Sequence, residues 1–213
     1  MKEKNLTEKE SLELITEMIA NTKKRFGLDR GKSLLVWGYT TTCAAILVYV
    51  TLMFTGSVKA MLWWALIPLA GWPLQYKVLG SLKQAQGEAK SFIDTASNRL
   101  WLLISMSELI AFFICLGFHL YGLNVWIIMF FFSLIIVGSA AVAQGILIRE
   151  TSLTAGGLFS IAAGLFICAV AGSHSQLNLS WMMPLFIVSF AMMTIVPGHI
   201  INYKANKVLC SKN

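Results

Sequence analysis

Apolar residues in this chain gather into six stretches, each close to the ~20 residues needed to cross a hydrocarbon core roughly 30 Å thick. They run approximately Ser33–Phe54, Ala60–Val78, Leu100–Leu120, Val125–Ile148, Leu153–Gly172 and Leu179–Asn202. The pattern predicts an all-α polytopic membrane protein with six transmembrane helices, preceded by a polar segment that has a helical period of its own. The organisation expected is a helical segment over 1–32, a six-helix domain over 33–202 and a basic tail over 203–213.

Charge orients these spans. Lys2, Lys4, Lys9, Lys23, Lys24, Arg25, Arg30 and Lys32 precede the first, and Lys77, Lys83, Lys90 and Arg99 sit between the second and third. Arg149 marks the turn after the fourth, and Lys204, Lys207 and Lys212 the tail, so of all 17 Lys and Arg only Lys59 falls on the opposite side. Basic residues beside spans remain cytoplasmic. Both termini are therefore expected inside, with the chain multi-pass in a bacterial inner membrane and its first span acting as an uncleaved signal anchor.

Composition agrees, with 57% hydrophobic residues and a mean hydropathy of +0.70. The net charge of +7 is spread along the inner borders without aromatic interleaving, which argues for anionic lipid headgroups rather than nucleic acid. Cys43, Cys115 and Cys168 fall within spans and Cys210 in the tail, with no CxxC pair and no His at ligand spacing. No metal or cofactor is expected. Nor is enzyme activity, since no GxSxG, HExxH or carboxylate pair marks a reacting centre.

The short outer loops Thr55–Lys59, Tyr121–Asn124 and Ser173–Asn178 are each followed by tryptophan: Trp63 and Trp64, Trp126, then Trp181. Indoles favour the headgroup level, so an outer aromatic belt is expected. Most polar mass lies on the other side. Thr7-x-x-Glu10 has capping-box form, and Leu12, Ile15, Ile19 and Phe26 follow at helical spacing, with acidic residues in the early turns and Lys23, Lys24 and Arg25 in the last. Gly27 is expected to end this helix. Its apolar stripe needs a cover, which can be the membrane surface, the stripe Leu79, Leu82, Ala89, Phe92, Ala96 and Leu100, or a docked cytoplasmic or membrane partner.

In the fifth span Gly156, Ser160, Gly164, Cys168 and Gly172 recur every four residues. Small residues at this spacing let helix backbones approach closely, so the stripe is expected to pack, within the bundle or against a second copy of the chain in a homo-oligomer.

Glu108 stands near the midplane of the third span, where an isolated carboxylate is costly and normally faces a bundle interior, a water cavity or a partner. No Lys or Arg lies at its depth, so hydroxyl partners are more economical than an ion pair. Tyr39, Thr40, Thr41, Thr42, Ser105 and Ser107 are the candidates, while Cys115 and His119 share its helical face. A site built from Glu108, Tyr39, Thr41, Thr42 and Ser105 would suit a proton or a cationic solute. Gln75 after Pro73, Gln144 before Gly145, and Pro197-Gly198-His199 lie toward the inner ends, where they form either kinks or an inner vestibule.

The motifs Glu10-Ser-Leu-Glu-Leu-Ile15, Leu34-Leu-Val-Trp37-Gly38-Tyr39 and Ala65-Leu-Ile-Pro68-Leu-Ala-Gly71-Trp-Pro73 resemble a group of small uncharacterised bacterial inner-membrane proteins. That resemblance implies no known activity. The span count also resembles the substrate-binding subunits of energy-coupling-factor vitamin transporters, although their AxxxA docking pattern is replaced in the first span by Gly38-x-x-x-Thr42 and Thr41-x-x-x-Ala45. Function does not follow from a fold. The sequence favours a membrane scaffold or regulatory subunit that docks a partner through its inner helix, with a small transporter or channel subunit built around Glu108 as the alternative.

Overall fold

The computed structural model describes the backbone of residues 8–83, 92–123, 125–173 and 179–210, with side chains for 31–78, 80, 95–123, 125–173 and 180–207. Every regular element among these residues is helical. They are α1 (Glu8–Thr55), a 3₁₀ helix (Val58–Ala65), α2 (Leu66–Lys83), α3 (Phe92–Leu120), α4 (Ile127–Ile148), α5 (Thr151–Gly172), α6 (Leu179–Phe190), a π-helical turn (Ala191–Ile195) and α7 (Val196–Cys210).

Five helical stretches are long and apolar enough to cross a membrane: Gly31–Thr55, Thr95–Leu120, Ile127–Ile148, Thr151–Gly172 and Ser180–Lys207. Their outward faces carry Leu103, Ile110, Phe113, Leu165 and Phe166, all more than half exposed. A continuous apolar surface of this kind is a liability in water and the expected surface in lipid. The chain is thus a helical membrane protein.

The second apolar stretch does not form one regular span. Gly56, at φ +60, closes α1 with its N–H bonded to the Leu52 carbonyl at 2.9 Å, and Ser57 caps a 3₁₀ segment before α2 begins. With about 2.0 Å rise per 3₁₀ residue and 1.5 Å per α residue, residues 58–78 cover roughly 35 Å. Antiparallel packing on α1 brings the far end of α2 back to the level of Ser33, whose Oγ accepts from Gln75 Nε2 at 2.7 Å.

Two boundaries differ from the sequence reading. Gly27 does not end a helix: α1 continues through it and through residue 32 as one run of 48 residues, about 72 Å at 1.5 Å per residue. A glycine costs a helix only about 1 kcal/mol relative to alanine, which strong helix formers on both sides can offset. Likewise α7 passes residue 202 and ends at Cys210. The candidate docking residues Leu12, Ile15, Ile19 and Phe26 lie outside the described side chains, as do most of the stripe from Leu79 to Phe92 and the outer segment around Leu177-Asn178.

The core is centred on the α4–α5 hairpin, the most extensive pair in the bundle. Its turn is a Schellman motif: Glu150 N–H bonds Gly145 O at 2.8 Å, Arg149 N–H bonds Ile146 O at 3.3 Å, and Arg149 takes a left-handed φ of 57°. Across the interface, Ser160 Oγ donates to Leu134 O at 2.9 Å, and a Cβ on Gly157 would stand 2.6 Å from Gly138 O. Within the stripe, Gly156 meets the backbone at Met192 and Gly164 packs against Leu134 and Ile135. Cys168 is exposed and Gly172 faces open space, so close packing is confined to the first three of those five positions.

The outer tryptophans differ in burial. Trp63 is 45% exposed, but Trp64 and Trp126 are 5% and 1% exposed and belong to the core. Trp64 stacks edge-on against Phe130 and Phe186, and Trp126 lies against Phe112 and His119.

In the last span the π turn sits directly before Pro197, which brings no N–H to the helical ladder. The chain accommodates the loss with a wider turn in which Val196 N–H reaches Ala191 O. Phe190, just before this bulge, and Thr194 within it line the interior cavity, and Thr194 approaches Gly38 of α1.

Candidate functional site

Thr95–Leu120 is the least buried of the five spans, and α3 packs chiefly on α4. The space between α3 and the α1–α2 pair is a cavity of about 240 Å³, floored by α4 and α6. Its walls run from Ser33, Gln75, Asn98 and Gln144 at one end to Phe112, Met129 and Phe186 at the other. Along α3 this is fourteen residues from Asn98 to Phe112, about 21 Å of helix.

Glu108 lines the deep half, thirteen residues from Thr95 and twelve from Leu120, hence at the middle of its span. Ser133 of α4 donates to its Oε2 at 2.6 Å. Oε1 is buried and finds no partner among the described residues. A second polar pair lies two to three turns away, where Trp101 Nε1 donates to Oε1 of the fully buried Gln144, leaving Gln144 Nε2 unpartnered. Gln75 has the converse arrangement: its Nε2 is committed to Ser33 and its buried Oε1 is unpartnered. Each unpaired buried group costs about 1–3 kcal/mol.

These atoms sit within the wall. The last side-chain torsion of Glu and Gln is broad and roughly two-fold. Glu108 lines the cavity, so rotation about its last torsion can bring a carboxyl oxygen to it without disturbing the backbone. The remaining wall is strongly aromatic, with Trp37, Trp64, Trp72 and Trp101 among its residues, and among the described residues it contains no Lys, Arg or His.

Of the five residues singled out in sequence, Glu108, Thr41 and Ser105 meet at this cavity. Ser105 Oγ is satisfied by Trp101 O at 2.8 Å, so it contributes a hydroxyl of fixed orientation. Tyr39 and Thr42 are not brought to it. The Tyr39 hydroxyl is hydrogen-bonded to His199 Nε2 at 2.8 Å on a half-exposed face between α1 and α7. Thr42 Oγ1 is buried elsewhere on α1 without a partner. Cys115 and His119 face the α3–α4 turn and Trp126 rather than the cavity, so they do not extend a polar chain from Glu108.

Ser133 was missed because it stands in a uniformly apolar run. Helical-hairpin geometry contains the signal: Glu108 and Ser133 lie about equally far from the turn at Tyr121, so antiparallel packing of α3 and α4 puts them at one depth. That turn is itself fixed by Gly122 at φ +77, with Leu123 N–H bonded to Phe118 O and Gly122 N–H to His119 O, both at 3.0 Å. Comparison with protein-family models, curated proteins and solved structures gives no match.

Proposed function

We propose that this protein is a small transporter or channel subunit of the bacterial inner membrane, with its solute site in the cavity around Glu108. The observation that carries this reading is the placement of a carboxyl at mid-span, hydrogen-bonded on one oxygen and unpartnered on the other, in the wall of a cavity shared by most of the helices. Carboxylates at that depth are expensive and are found where solutes, ions or protons are handled.

In this reading the chain crosses six times with both termini inside. The sixth crossing is the pair of the 3₁₀ helix and α2, which runs the length of α1 from Gly56 back to Ser33 and whose ~35 Å reach is sufficient for the hydrocarbon core. The basic residues then gather at the end where Ser33, Gln75, Asn98 and Gln144 line the cavity, making that end an inner vestibule. No catalytic role is proposed for any residue.

The test is reconstitution into liposomes and measurement of tracer equilibration for a panel of small radiolabelled amines, amino acids and sugars. Wild type should accelerate at least one of them, and Glu108→Gln should abolish that acceleration. A folded wild-type protein that moves none of the panel, or a variant that matches wild type, contradicts the proposal.

One observation favours a scaffold as a second reading. The inner part of α1 is continuous with the first span and projects about 35 Å beyond Gly31 at 1.5 Å per residue, a rigid arm on which a partner can dock. Affinity purification of Ile15→Glu with Ile19→Glu should then lose a stoichiometric partner that wild type retains. Retention of the partner by that variant contradicts docking through this stripe.

A further inference from the structure

We infer that the Glu108 cavity takes a compact organic ammonium ion, a protonated primary or secondary amine on a hydrophobic, preferably aromatic, body. This inference rests on the reading of the cavity as a solute site and adds its chemical class. Charge supplies the first argument. Among the described residues the wall holds one carboxyl and no cationic side chain, so a solute bearing a single positive charge completes it while an anion is repelled by the carboxylate.

Hydrogen-bonding capacity supplies the second. Oε1 of Glu108 is an unpartnered acceptor in the wall, and an ammonium group brings two or three N–H donors. A quaternary ammonium brings none and leaves that acceptor unpaired. Gln144 Nε2 and Trp64 Nε1, the buried unpartnered side-chain N–H groups among the described wall residues, are donors and do not compete for the ammonium.

The third argument is the aromatic wall. Trp37 of α1, Trp64 of the 3₁₀ helix, Trp72 of α2 and Trp101 of α3 line the space from four helical elements, and indole is the strongest of the side-chain faces for a cation. A metal ion would need several oxygen ligands in a shell, whereas this lining offers one carboxyl in a largely apolar surface. Size is the fourth. A volume of about 240 Å³ falls just short of the ~300 Å³ at which drug-sized sites begin, so the body is a single ring or a short alkyl chain.

The test uses three probes of nearly equal shape on purified full-length protein in mild detergent: phenethylammonium, phenethyl alcohol and phenylacetate. Binding is read by intrinsic tryptophan fluorescence, which the cavity wall makes sensitive to an occupant, and by isothermal calorimetry. Phenethylammonium should bind at least tenfold more tightly than phenethyl alcohol, phenylacetate should not bind, and Glu108→Gln should reduce the ammonium to the affinity of the alcohol. The probe series on wild type stands even if that variant fails to fold. Equal binding of the ammonium and the alcohol, or preference for phenylacetate, overturns the ammonium class while leaving the cavity as a solute site. If no probe of any charge binds, the ammonium class and the solute-site reading fall together.

Discussion

Ser133 Oγ donates a 2.6 Å hydrogen bond to Glu108 Oε2 across the α3–α4 hairpin, at the depth where the membrane is least tolerant of a carboxyl. It holds the acid against α4, and the other carboxyl oxygen is buried without a partner among the described residues. Removing the hydroxyl by Ser133→Ala strands a buried carboxyl oxygen and should lower stability by about 1–3 kcal/mol. Thermal unfolding in detergent measures this, and Ser133→Thr, which keeps a hydroxyl, should recover most of the loss.

The α4–α5 interface depends on the absence of a side chain at Gly157. A Cβ there would stand 2.6 Å from Gly138 O and 2.9 Å from Val142 N, both backbone atoms that cannot move aside cheaply. Gly157→Val should therefore destabilise by about 1–3 kcal/mol or more, the range for overpacking. Gly172→Ala, with open space around it, should change stability by less than about 0.5 kcal/mol in the same assay.

Continuity of α1 through Gly27 reverses the sign expected for a substitution there. Within a helix, alanine is favoured over glycine by about 1 kcal/mol, so Gly27→Ala should increase helicity by circular dichroism and leave the fold intact. Loss of helicity would instead show that Gly27 ends a helix in a left-handed cap.

Arg149 occupies a left-handed conformation in the α4–α5 turn, at φ 57°. Such a conformation costs a side-chain-bearing residue roughly 1–2 kcal/mol, and glycine escapes that cost. Arg149→Gly should raise the unfolding midpoint by an amount consistent with about 1 kcal/mol. The neighbouring ion pair of Lys204 Nζ with Glu150 Oε2 at 2.7 Å leaves its lysine mostly exposed, so Glu150→Gln should cost no more than about 1 kcal/mol.

How far the sequence carried this picture depends on which physical signal each feature leaves. Five of the six apolar stretches correspond to helices long and apolar enough to span, because hydropathy over some twenty residues is a direct record of the solvent. The stretch from Ala60 is apolar too, but its 3₁₀ start at Val58 and its polar end near Gln75 and Lys77 have no periodic signature. Glu108 was legible as the costly residue. Its partner was not, since a lone Ser133 among phenylalanines is informative only once the hairpin register is applied. Trp126 and Trp64 read as interfacial by type and are buried by packing, which no composition rule reports. Tyr39 and Thr42 neighbour Thr41 in sequence, yet the 100° turn per residue of a helix sends only Thr41 of the three to the cavity.

The central claim, that the space beside Glu108 is a solute site reached from the basic side, is tested most directly by thiol accessibility. In a protein with Cys43, Cys115, Cys168 and Cys210 replaced, single cysteines at Ser105 in the cavity wall, at lipid-facing Leu103 and at exposed Lys204 would be treated with a membrane-impermeant maleimide in sealed inside-out vesicles. Ser105→Cys and Lys204→Cys should label while Leu103→Cys does not. Labelling of Lys204→Cys without labelling of Ser105→Cys would contradict the account.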